Sequence, residues 1–304
     1  MENTSASPQF TLHALSNQMA DAVEKVSKSV VLVNGRERQP ASGFVYASSL
    51  ILTASHVVER EENITVYTAD KRTLPAKLVG RDAASDLAVL RVENLNVEPA
   101  TGANDEARVG QLALIVGRSS EEGPMASMGI VSAVGGPLTI GRGLTLERYI
   151  RTDAIPYPGF SGSPLIDTQG AVLGVLTTGL GNSITLAIPT QLARQVADSI
   201  TQFGYRKRGY LGIGSQLVEI PANQRANRSQ EYGLLIVKVD EHSPAQRAGV
   251  IIGDILVSVD GQVIKDPEDL KMSLTSERVG KTIPVEVIRG NGVQTLQITV
   301  GQRN

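Results

Sequence analysis

The spacing of apolar residues changes as the chain runs from its first residues toward its middle. Residues 1 to about 15 are polar and aperiodic, which is typical of a flexible tail. The next apolar side chains recur at helical spacing behind a serine or asparagine that suits an N-cap. They are Met19, Val23, Val26 and Val30. This pattern predicts one short amphipathic helix after the tail.

From residue 30 to residue 190 the apolar residues form short continuous or alternating runs. Glycine, asparagine and aspartate separate these runs, as in SVVLVNG, NITVYTA, LAVLRVE and AVLGVLTTG. Many short strands with turn residues between them predict a closed or sandwiched antiparallel β domain. A helix within TQLARQVADSITQFG closes this domain, and we place its boundaries at residues 16–204.

The pattern of predicted elements changes after the basic, glycine-rich segment YRKRGYLGIG at residues 205–214. Strand-like runs such as GLLIVKVD and DILVSVDG alternate with two helix signals. In the second signal, Asp266 stands at the N-cap, Pro267 takes the first helical position and acids fill the first turn. These features predict a small α+β domain over residues 205–304.

Composition removes several classes of function. The chain has 304 residues, enough for about two domains. With 29 basic and 31 acidic residues, its net charge of −2 offers no broad attraction to nucleic acid. It has no cysteine, and its three histidines lack the spacing of a metal site. We therefore predict no nucleic-acid partner, no metal and no other cofactor.

The first residues also bear on location. They lack a basic region followed by an unbroken apolar stretch, as an export signal would have. No run of 18 apolar residues occurs anywhere in the chain. These observations predict no membrane insertion and a cytoplasmic location.

The stretch PYPGFSGSPLID, residues 156–167, places Ser161 among turn-forming residues. Ser161 is either a polar turn residue or a nucleophile, and a serine hydroxyl needs an oriented base to act as a nucleophile. His13 lies in the tail and His242 in the second domain, which leaves His56 as the one histidine in the β domain. His56 is alternatively a histidine satisfied at a strand end.

Asp86 precedes the apolar strand LAVL, where a buried carboxylate is costly unless it has a partner. It is therefore a candidate to orient the imidazole of His56, and Asp82 competes with it as a surface or turn acid. The order His, Asp, Ser is that of the chymotrypsin-type triad.

Six blocks follow one another along the chain. TASHVV, DLAVL and TDA…PGFSGSPL lie in the β domain, and RGYLGIG, SPAQRAGVIIGDILVSVDGQ and DPEDLKMSL lie in the second domain. Together they resemble the HtrA family of trypsin-like serine proteases: the first three are similar to its catalytic blocks, and the last three to its single C-terminal PDZ domain. The resemblance runs from about residue 20 to residue 304. It implies a mainly β chain, with a chymotrypsin-like double antiparallel β-barrel followed by a small α+β PDZ domain.

The resemblance assigns roles by position. It implies that Ser161 is the nucleophile, His56 the general acid/base and Asp86 the orienting acid. Backbone N–H groups of Gly159 and Ser161 would form the oxyanion hole. The implied function is ATP-independent cleavage of unfolded or damaged proteins at apolar sites. Two alternatives stay open: a catalytically inactive peptide-binding chaperone or scaffold, and a serine esterase.

The sequence departs from the family pattern in two blocks. Phe160 and Ser163 stand where the family usually has asparagine and a second glycine, and Ala54 and Ser55 alter the block before His56. No departure removes a reacting group. Phe160 is the replacement that could change the fold of the oxyanion loop.

Substrate binding is assigned to residues near Ser161. Ile155 lies six positions before the nucleophile, where an acid would favour basic side chains, so an apolar S1 pocket follows, with Leu180 as a wall. Both residues are alternatively core residues. Thr178 to Leu180 would offer the edge with which an extended substrate pairs.

The PDZ-like region has its own candidate site, a loop that resembles the carboxylate-binding loop of PDZ domains. This loop consists of Tyr210, Leu211, Gly212 and Ile213. Leu270 and Leu274 would line the accompanying groove for peptide C-termini, or they are core residues at helical spacing.

Two further expectations come from the family. Arg142 resembles the sensor-loop arginine that relays peptide occupancy of the PDZ domain to the oxyanion loop, or it is a solvated surface residue. The family forms trimers, so the resemblance implies a homotrimer.

Overall fold

The computed structural model describes residues 11–37, 39–140, 144–178, 184–206, 208–225, 229–274 and 278–303. The chain divides into two compact units, Met1–Tyr205 and Arg206–Asn304. None of the described helices has the length and apolar character needed to span a bilayer.

The first unit opens with helix α1 (Leu12–Ser27). The hydroxyl of Thr11 caps it by accepting a hydrogen bond from the backbone N–H of Ala14 at 3.2 Å. Ala22 and Val26 are buried on its inner face. The helix begins before the end of the tail predicted at residue 15, because the Thr11 cap lies outside the hydrophobic repeat that located the helix.

Six antiparallel strands close into the first barrel in the order β1-β2-β3-β6-β5-β4, and pairing of β1 with β4 closes it. They are β1 (Val30–Asn34), β2 (Ala41–Ala47), β3 (Leu50–Ala54), β4 (Ile64–Tyr67), β5 (Thr73–Asp82) and β6 (Leu87–Val92). Their alternate side chains fill the interior, as expected of a small barrel. Members of this core include Val31, Val33, Ile51, Val66 and Leu90.

The second barrel follows the same plan. Its first two strands are β7 (Leu112–Gly117) and β8 (Met125–Gly135), and a hairpin of β9 (Leu138–Ile140) and β10 (Leu144–Leu146) comes next. Its remaining strands are β11 (Tyr149–Thr152), β12 (Pro164–Ile166), β13 (Val172–Thr177) and β14 (Thr185–Pro189). The barrel order is β11-β14-β13-β12-β7-β8.

Helix α2 (Thr190–Phe203) ends the first unit at Gly204, whose φ of 81° gives the left-handed C-cap. Its buried face joins one apolar cluster with side chains of both barrels. This cluster includes Leu52 and Leu87 of the first barrel, Leu114 and Ile188 of the second, and Val196 and Ile200 of the helix. Burial of this apolar surface holds the two barrels together.

The second unit is a small α+β fold. Its short first strand β15 (Arg208–Tyr210) pairs with the last strand of the unit. The main sheet has the order β16-β17-β18-β20-β21, and β19 pairs with β18, so β16 lies at one edge. The strands are β16 (Ile213–Glu219), β17 (Tyr232–Val239), β18 (Ile255–Val259), β19 (Gln262–Val263), β20 (Thr282–Arg289), β21 (Gly292–Thr299) and β22 (Gly301–Arg303).

The described part of this unit also contains two α-helices, α3 (Pro244–Arg247) and α4 (Pro267–Ser273), and a 3₁₀ turn at Ala222–Gln224. A carboxylate oxygen of Asp266 accepts a hydrogen bond from the N–H of Asp269 at 2.9 Å, so the predicted cap of α4 is confirmed. Two six-stranded barrels followed by a small α+β unit confirm the predicted fold class.

Replacing Gly80 by alanine should destabilise the first unit. A Cβ at Gly80, in β5, would lie 1.9 Å from the carbonyl oxygen of Gly204, at the end of α2. Overpacking of this kind costs about 1–3 kcal/mol. Scanning calorimetry should show a lower melting temperature, by about 2–4 °C for each kcal/mol in a unit of this size.

Gly292→Ala is the matched control, because a Cβ at Gly292, in β21, would meet no atom within 4 Å. The control should melt like the parent protein. Equal melting temperatures for Gly80→Ala and the parent would contradict the packing of α2 against β5.

Candidate active site

His56 and Asp86 occupy the ends of two paired strands. His56 lies in a single 3₁₀ turn directly after β3, and Asp86 directly precedes β6. Strands β3 and β6 pair along their length, so these two ends meet. The N–H of Ser55 donates to the carbonyl of Asp86 at 2.9 Å, and the N–H of His56 donates to Oδ1 of Asp86 at 2.9 Å. Two backbone donors therefore fix the turn against Asp86.

The carboxylate of Asp86 is buried, with the residue 2% exposed, and its φ of 54° lies in the left-handed region. Its Oδ2 accepts from Nδ1 of His56 at 2.7 Å and from Oγ1 of Thr177 at 2.5 Å. These donors offset the cost of burying a charge. Because a carboxylate only accepts, Nδ1 carries the proton and Nε2 of His56 is left as an acceptor.

Asp82, the competing acid, has a different role. Its Oδ2 accepts from the hydroxyl of Ser85 at 2.7 Å and from the N–H of Ser85 at 3.2 Å. Asp82 therefore caps the turn that leads to Asp86, and the carboxylate that contacts His56 is that of Asp86.

Ser161 lies within two consecutive tight turns between β11 and β12. The N–H of Phe160 donates to the carbonyl of Tyr157 at 3.0 Å, and the N–H of Ser163 donates to the carbonyl of Phe160 at 3.0 Å. Gly159 and Gly162 take the third position of each turn, with φ of 87° and 85°. Glycine adopts these values without a steric cost. The turn chemistry of the sequence thus serves to reverse the chain on either side of Ser161.

The hydroxyl of Ser161 faces the imidazole. Its Oγ lies 3.1 Å from Nε2 of His56 and 2.5 Å from Oγ1 of Thr178. Since Nε2 is an acceptor, Ser161 donates to it, and the hydroxyl of Thr178 donates to Ser161. The His56 side chain remains 28% exposed, which leaves an approach from solvent. The structure therefore brings Asp86, His56 and Ser161 into one hydrogen-bonded chain.

The two predicted oxyanion donors are backbone amides of the same turns. The N–H of Phe160 and that of Gly162 are occupied, the latter by the carbonyl of Leu176 at 2.8 Å. Among the described residues, no acceptor takes a hydrogen bond from the N–H of Gly159 or of Ser161. Bonded and unbonded amides thus alternate along the loop: the N–H groups of Phe160 and Gly162 are bound to the protein, and those of Gly159 and Ser161 are left for another acceptor.

Two residues of this loop, Phe160 and Ser163, differ from the usual family sequence, and both are buried. The ring of Phe160 is fully buried, contacts Tyr157 edge-on with ring centroids 5.4 Å apart, and lies against Gly117, where a Cβ would come within 2.5 Å of it. The hydroxyl of Ser163 is buried with no hydrogen-bond partner among the described residues. Phe160 therefore anchors the turns in the core of the second barrel. The Ser163 side chain makes no hydrogen bond to any described residue.

Of the three predicted substrate-binding residues, the structure describes Thr178 and Ile155. Thr178 contacts the Ser161 hydroxyl as described, and Ile155 is 63% exposed, so it is not a core residue. Leu180 lies outside the described residues, as does Arg142.

Two residues of the site, Thr177 and Ser42, were not predicted from the sequence. Thr177 donates to Asp86, whereas its neighbour Thr178 faces Ser161 on the other side of the strand end. Ser42, on β2, donates its backbone N–H to the carbonyl of Ser161 at 3.1 Å. The two adjacent threonines in LTTG indicate that one of them faces the interior, because side chains alternate along a strand. The sequence does not say which of the two it is.

The loop between β15 and β16 has a comparable arrangement of backbone groups. The carbonyl of Leu211 accepts from the N–H of Ala245, and that of Gly212 accepts from the N–H of Asp240, both at 2.8 Å. The N–H groups of Leu211 and Gly212 donate to no residue that the structure describes. Gly212 has a φ of 81°, and a Cβ there would lie 2.2 Å from Cβ of Ser243.

The remaining PDZ candidates border the same loop. The hydroxyl of Tyr210 donates to Asp240 at 2.7 Å. Ile213 begins the edge strand β16, and Leu270 and Leu274 lie in and just after α4. These three apolar side chains are half-buried and pack against the core of the unit. Each of them therefore combines a core contact with a partly exposed side chain.

Comparison with known proteins covers both units. Residues 41–175 match the family model described as a trypsin-like peptidase domain, and residues 209–300 match a PDZ domain. The chain is 34% identical over 277 residues to a probable periplasmic serine endoprotease DegP-like of Rhizobium meliloti (strain 1021), covering 88% of this chain and 54% of that protein. A protein of the same name in Pseudomonas fulva (strain 12-X) is 33% identical over 280 residues, with coverages of 88% and 57%. The chain spans about half the length of these curated relatives.

Solved structures match almost the whole chain. The HtrA-type protease AlgW with a tripeptide is 30% identical with a TM-score of 0.79, covering 94% of this chain and 97% of that one. AlgW with a decapeptide is 28% identical with a TM-score of 0.78, with coverages of 94% and 99%. The serine endoprotease from Yersinia pestis is 29% identical with a TM-score of 0.74, with coverages of 95% and 98%.

The names of the curated relatives contradict the predicted cytoplasmic location, because these relatives are called periplasmic. The prediction was wrong because it was based on what the first residues lack. The absence of an export signal from a stretch of sequence does not fix the compartment in which a protein acts.

Family membership follows from the comparisons and agrees with the site. The trypsin-like match includes the hydrogen-bonded chain of Asp86, His56 and Ser161, and the PDZ match includes the loop before β16. The relation to AlgW extends over nearly the full length of both chains. The chain belongs to the HtrA family of trypsin-like serine proteases with a C-terminal PDZ domain.

Proposed function

We propose that the protein is a serine endopeptidase in which Ser161 is the nucleophile, His56 the general acid/base and Asp86 the orienting acid. The observation that carries this proposal is the hydrogen-bonded chain from Asp86 Oδ2 through both ring nitrogens of His56 to Ser161 Oγ. It has the connectivity that serine hydrolysis requires.

The reaction follows from these contacts. Oγ of Ser161 attacks the scissile carbonyl carbon while its proton passes to Nε2 of His56. The substrate oxygen becomes an oxyanion, and the N–H groups of Gly159 and Ser161 are the donors available to it. His56 then gives the proton to the leaving amine. Water attacks the acyl-enzyme with His56 as base, which releases the acid and restores Ser161.

The substrates we propose are unfolded or damaged proteins, cleaved at apolar sites without ATP. The chain from Thr178 to Leu180 would pair with an extended substrate, and a folded protein seldom offers such a segment. Ile155, which is exposed, and Leu180 would border the pocket for the side chain before the cleaved bond. The relatives named serine endoproteases support cleavage within protein chains.

The PDZ domain is proposed to bind peptide C-termini and thereby to regulate cleavage. The N–H groups of Leu211 and Gly212 would receive the terminal carboxylate, and the peptide would extend the sheet at the edge strand β16. Half-buried Leu270 and Leu274 would line the groove together with Ile213. Arg142 is proposed as the residue that transmits peptide occupancy to the oxyanion loop.

The organisation we propose has a protease domain over residues 16–204 and a PDZ domain over residues 205–304. A homotrimer is proposed from the family resemblance, and a periplasmic location from the names of the relatives.

Replacing Ser161 by alanine should abolish cleavage of fluorescein-labelled casein. Loss of the nucleophile removes covalent catalysis, so the rate should fall by at least about 10³-fold. Ser163→Ala is the matched control, because it removes a buried hydroxyl two residues away that has no described hydrogen-bond partner. The control should cleave casein like the parent.

Cleavage that persists in Ser161→Ala would reject Ser161 as the nucleophile. Absence of cleavage by the parent, together with retained peptide binding, would favour the inactive peptide-binding chaperone or scaffold.

Peptide binding should depend on a free C-terminal carboxylate. Hydrogen bonds to a charged group contribute about 1.5–3 kcal/mol. A fluorescent ten-residue peptide ending in Leu-Val should therefore bind about 10- to 100-fold more tightly than the same peptide with an amidated C-terminus, as measured by fluorescence anisotropy. Equal affinity of the two peptides would reject the loop before β16 as the carboxylate site.

Light scattering coupled to size-exclusion chromatography should give a mass three times the 32.3 kDa of one chain. The measurement should be made at several protein concentrations, because association responds to concentration. A mass of 32.3 kDa throughout would reject the homotrimer.

A further inference from the structure

Ser42 is a fully buried residue of β2 that contacts the loop carrying Ser161 through both its backbone and its side chain. Its N–H donates to the carbonyl of Ser161 at 3.1 Å. Its hydroxyl donates to the carbonyl of Gly159 at 2.8 Å. One residue of the first barrel thus holds two carbonyls of the nucleophile loop.

These two carbonyls belong to alternate peptide groups. Holding the carbonyl of Gly159 fixes the peptide group that carries the N–H of Phe160, and holding that of Ser161 fixes the one that carries the N–H of Gly162. The peptide groups next to them carry the N–H groups of Gly159 and Ser161. A peptide group is planar, so fixing two of them restricts how their neighbours can rotate. Ser42 therefore restricts the orientation of the two N–H groups that have no described acceptor, those of Gly159 and Ser161.

Ser42 is itself held in place. Its hydroxyl oxygen accepts from the N–H of Arg118 at 2.9 Å, and its carbonyl accepts from the hydroxyl of Thr53 at 2.7 Å. The carbonyl of Arg118 lies 3.2 Å from the same Ser42 hydroxyl, farther than that of Gly159. Because the N–H of Arg118 occupies a lone pair of the hydroxyl oxygen, the single hydroxyl proton is left for the nearer carbonyl of Gly159.

Water has little access to the Ser42 hydroxyl and to its bond with the N–H of Arg118, both of which are buried. The Arg118 side chain is buried, and its Nε donates to the carbonyl of Val30 at 3.2 Å. Burial lowers the pKa of the Arg118 guanidinium. Loss of the Ser42 hydroxyl would leave the buried N–H of Arg118 and the half-buried carbonyl of Gly159 without this partner, an unfavourable state that the loop can relieve by rotating.

We propose that Ser42 is a positioning residue, whose hydroxyl orients the peptide groups of the nucleophile loop so that the N–H groups of Gly159 and Ser161 face the substrate oxygen. This role rests on the proposed endopeptidase function and adds a residue to it. Ser42 touches neither substrate nor His56 and acts through the carbonyl of Gly159.

Ser163 provides the comparison that separates this role from packing. It is also a fully buried serine at the nucleophile loop, but its hydroxyl has no described partner. Ser42→Ala and Ser163→Ala therefore remove the same atom from equally buried positions, and they differ in whether that atom holds the loop.

Both variants should first be shown to fold by calorimetry, and then kcat and KM should be measured on fluorescein-labelled casein. We expect kcat of Ser42→Ala to fall about 10- to 100-fold at nearly unchanged KM, because misplaced oxyanion donors weaken transition-state binding and leave substrate binding intact. Ser163→Ala should keep both constants. An unchanged kcat in Ser42→Ala, or a loss confined to KM, would overturn the proposal.

Hydrogen exchange of the loop gives a readout that does not depend on activity. The N–H groups of Phe160 and Gly162 are protected by bonds to Tyr157 and Leu176. They should exchange at least about 10-fold faster in Ser42→Ala than in Ser163→Ala, since the loop loses its anchor. Equal exchange rates in the two variants would overturn the positioning role. Absence of Ser161-dependent cleavage in the parent would instead refute the proposed function, and the exchange rates would still decide the role of Ser42.

Discussion

The buried carboxylate of Asp86 is the interaction on which the active site depends. A charge at this depth is stable only with several good donors, and Asp86 receives the backbone and the ring of His56 from one side and the hydroxyl of Thr177 from the other. His56 follows a strand of the first barrel, whereas Thr177 ends a strand of the second. One carboxylate therefore orients the imidazole and joins the two barrels at the same point.

The nucleophile loop meets this point from the second barrel. Its conformation is set by sterics as much as by hydrogen bonds: both glycines have left-handed φ, and a side chain at Gly162 would lie 2.2 Å from the carbonyl of Ser42. The ring of Phe160 fastens the other side of the loop to the core. The replacement that seemed able to disturb the oxyanion loop is thus a part of what holds it.

The two candidate binding loops, one in each unit, rely on the same physical arrangement. Around Ser161 and around Gly212, neighbouring carbonyls are held by donors from the protein, which leaves intervening or adjacent amides without a described partner. A left-handed glycine in close contact with a serine accompanies each loop, Gly159 against Ser119 and Gly212 against Ser243. Backbone amides presented in this way suit an oxyanion in the first unit and a carboxylate in the second.

Local sequence patterns predicted the type and order of the elements, because turn residues, alternation and capping act over a few neighbouring positions. The sequence also left His56 as the one candidate base in the β domain, since the chain has only three histidines. The resemblance of the motifs had already selected Asp86 over Asp82, and the structure shows the contact of Asp86 with His56. The choice of Thr177 over Thr178 as the partner of Asp86, and the part taken by Ser42, were visible only in the tertiary structure. Barrel closure and the packing of one barrel on the other bring together residues 42, 86, 161 and 177, and local patterns carry no information about contacts between such distant positions.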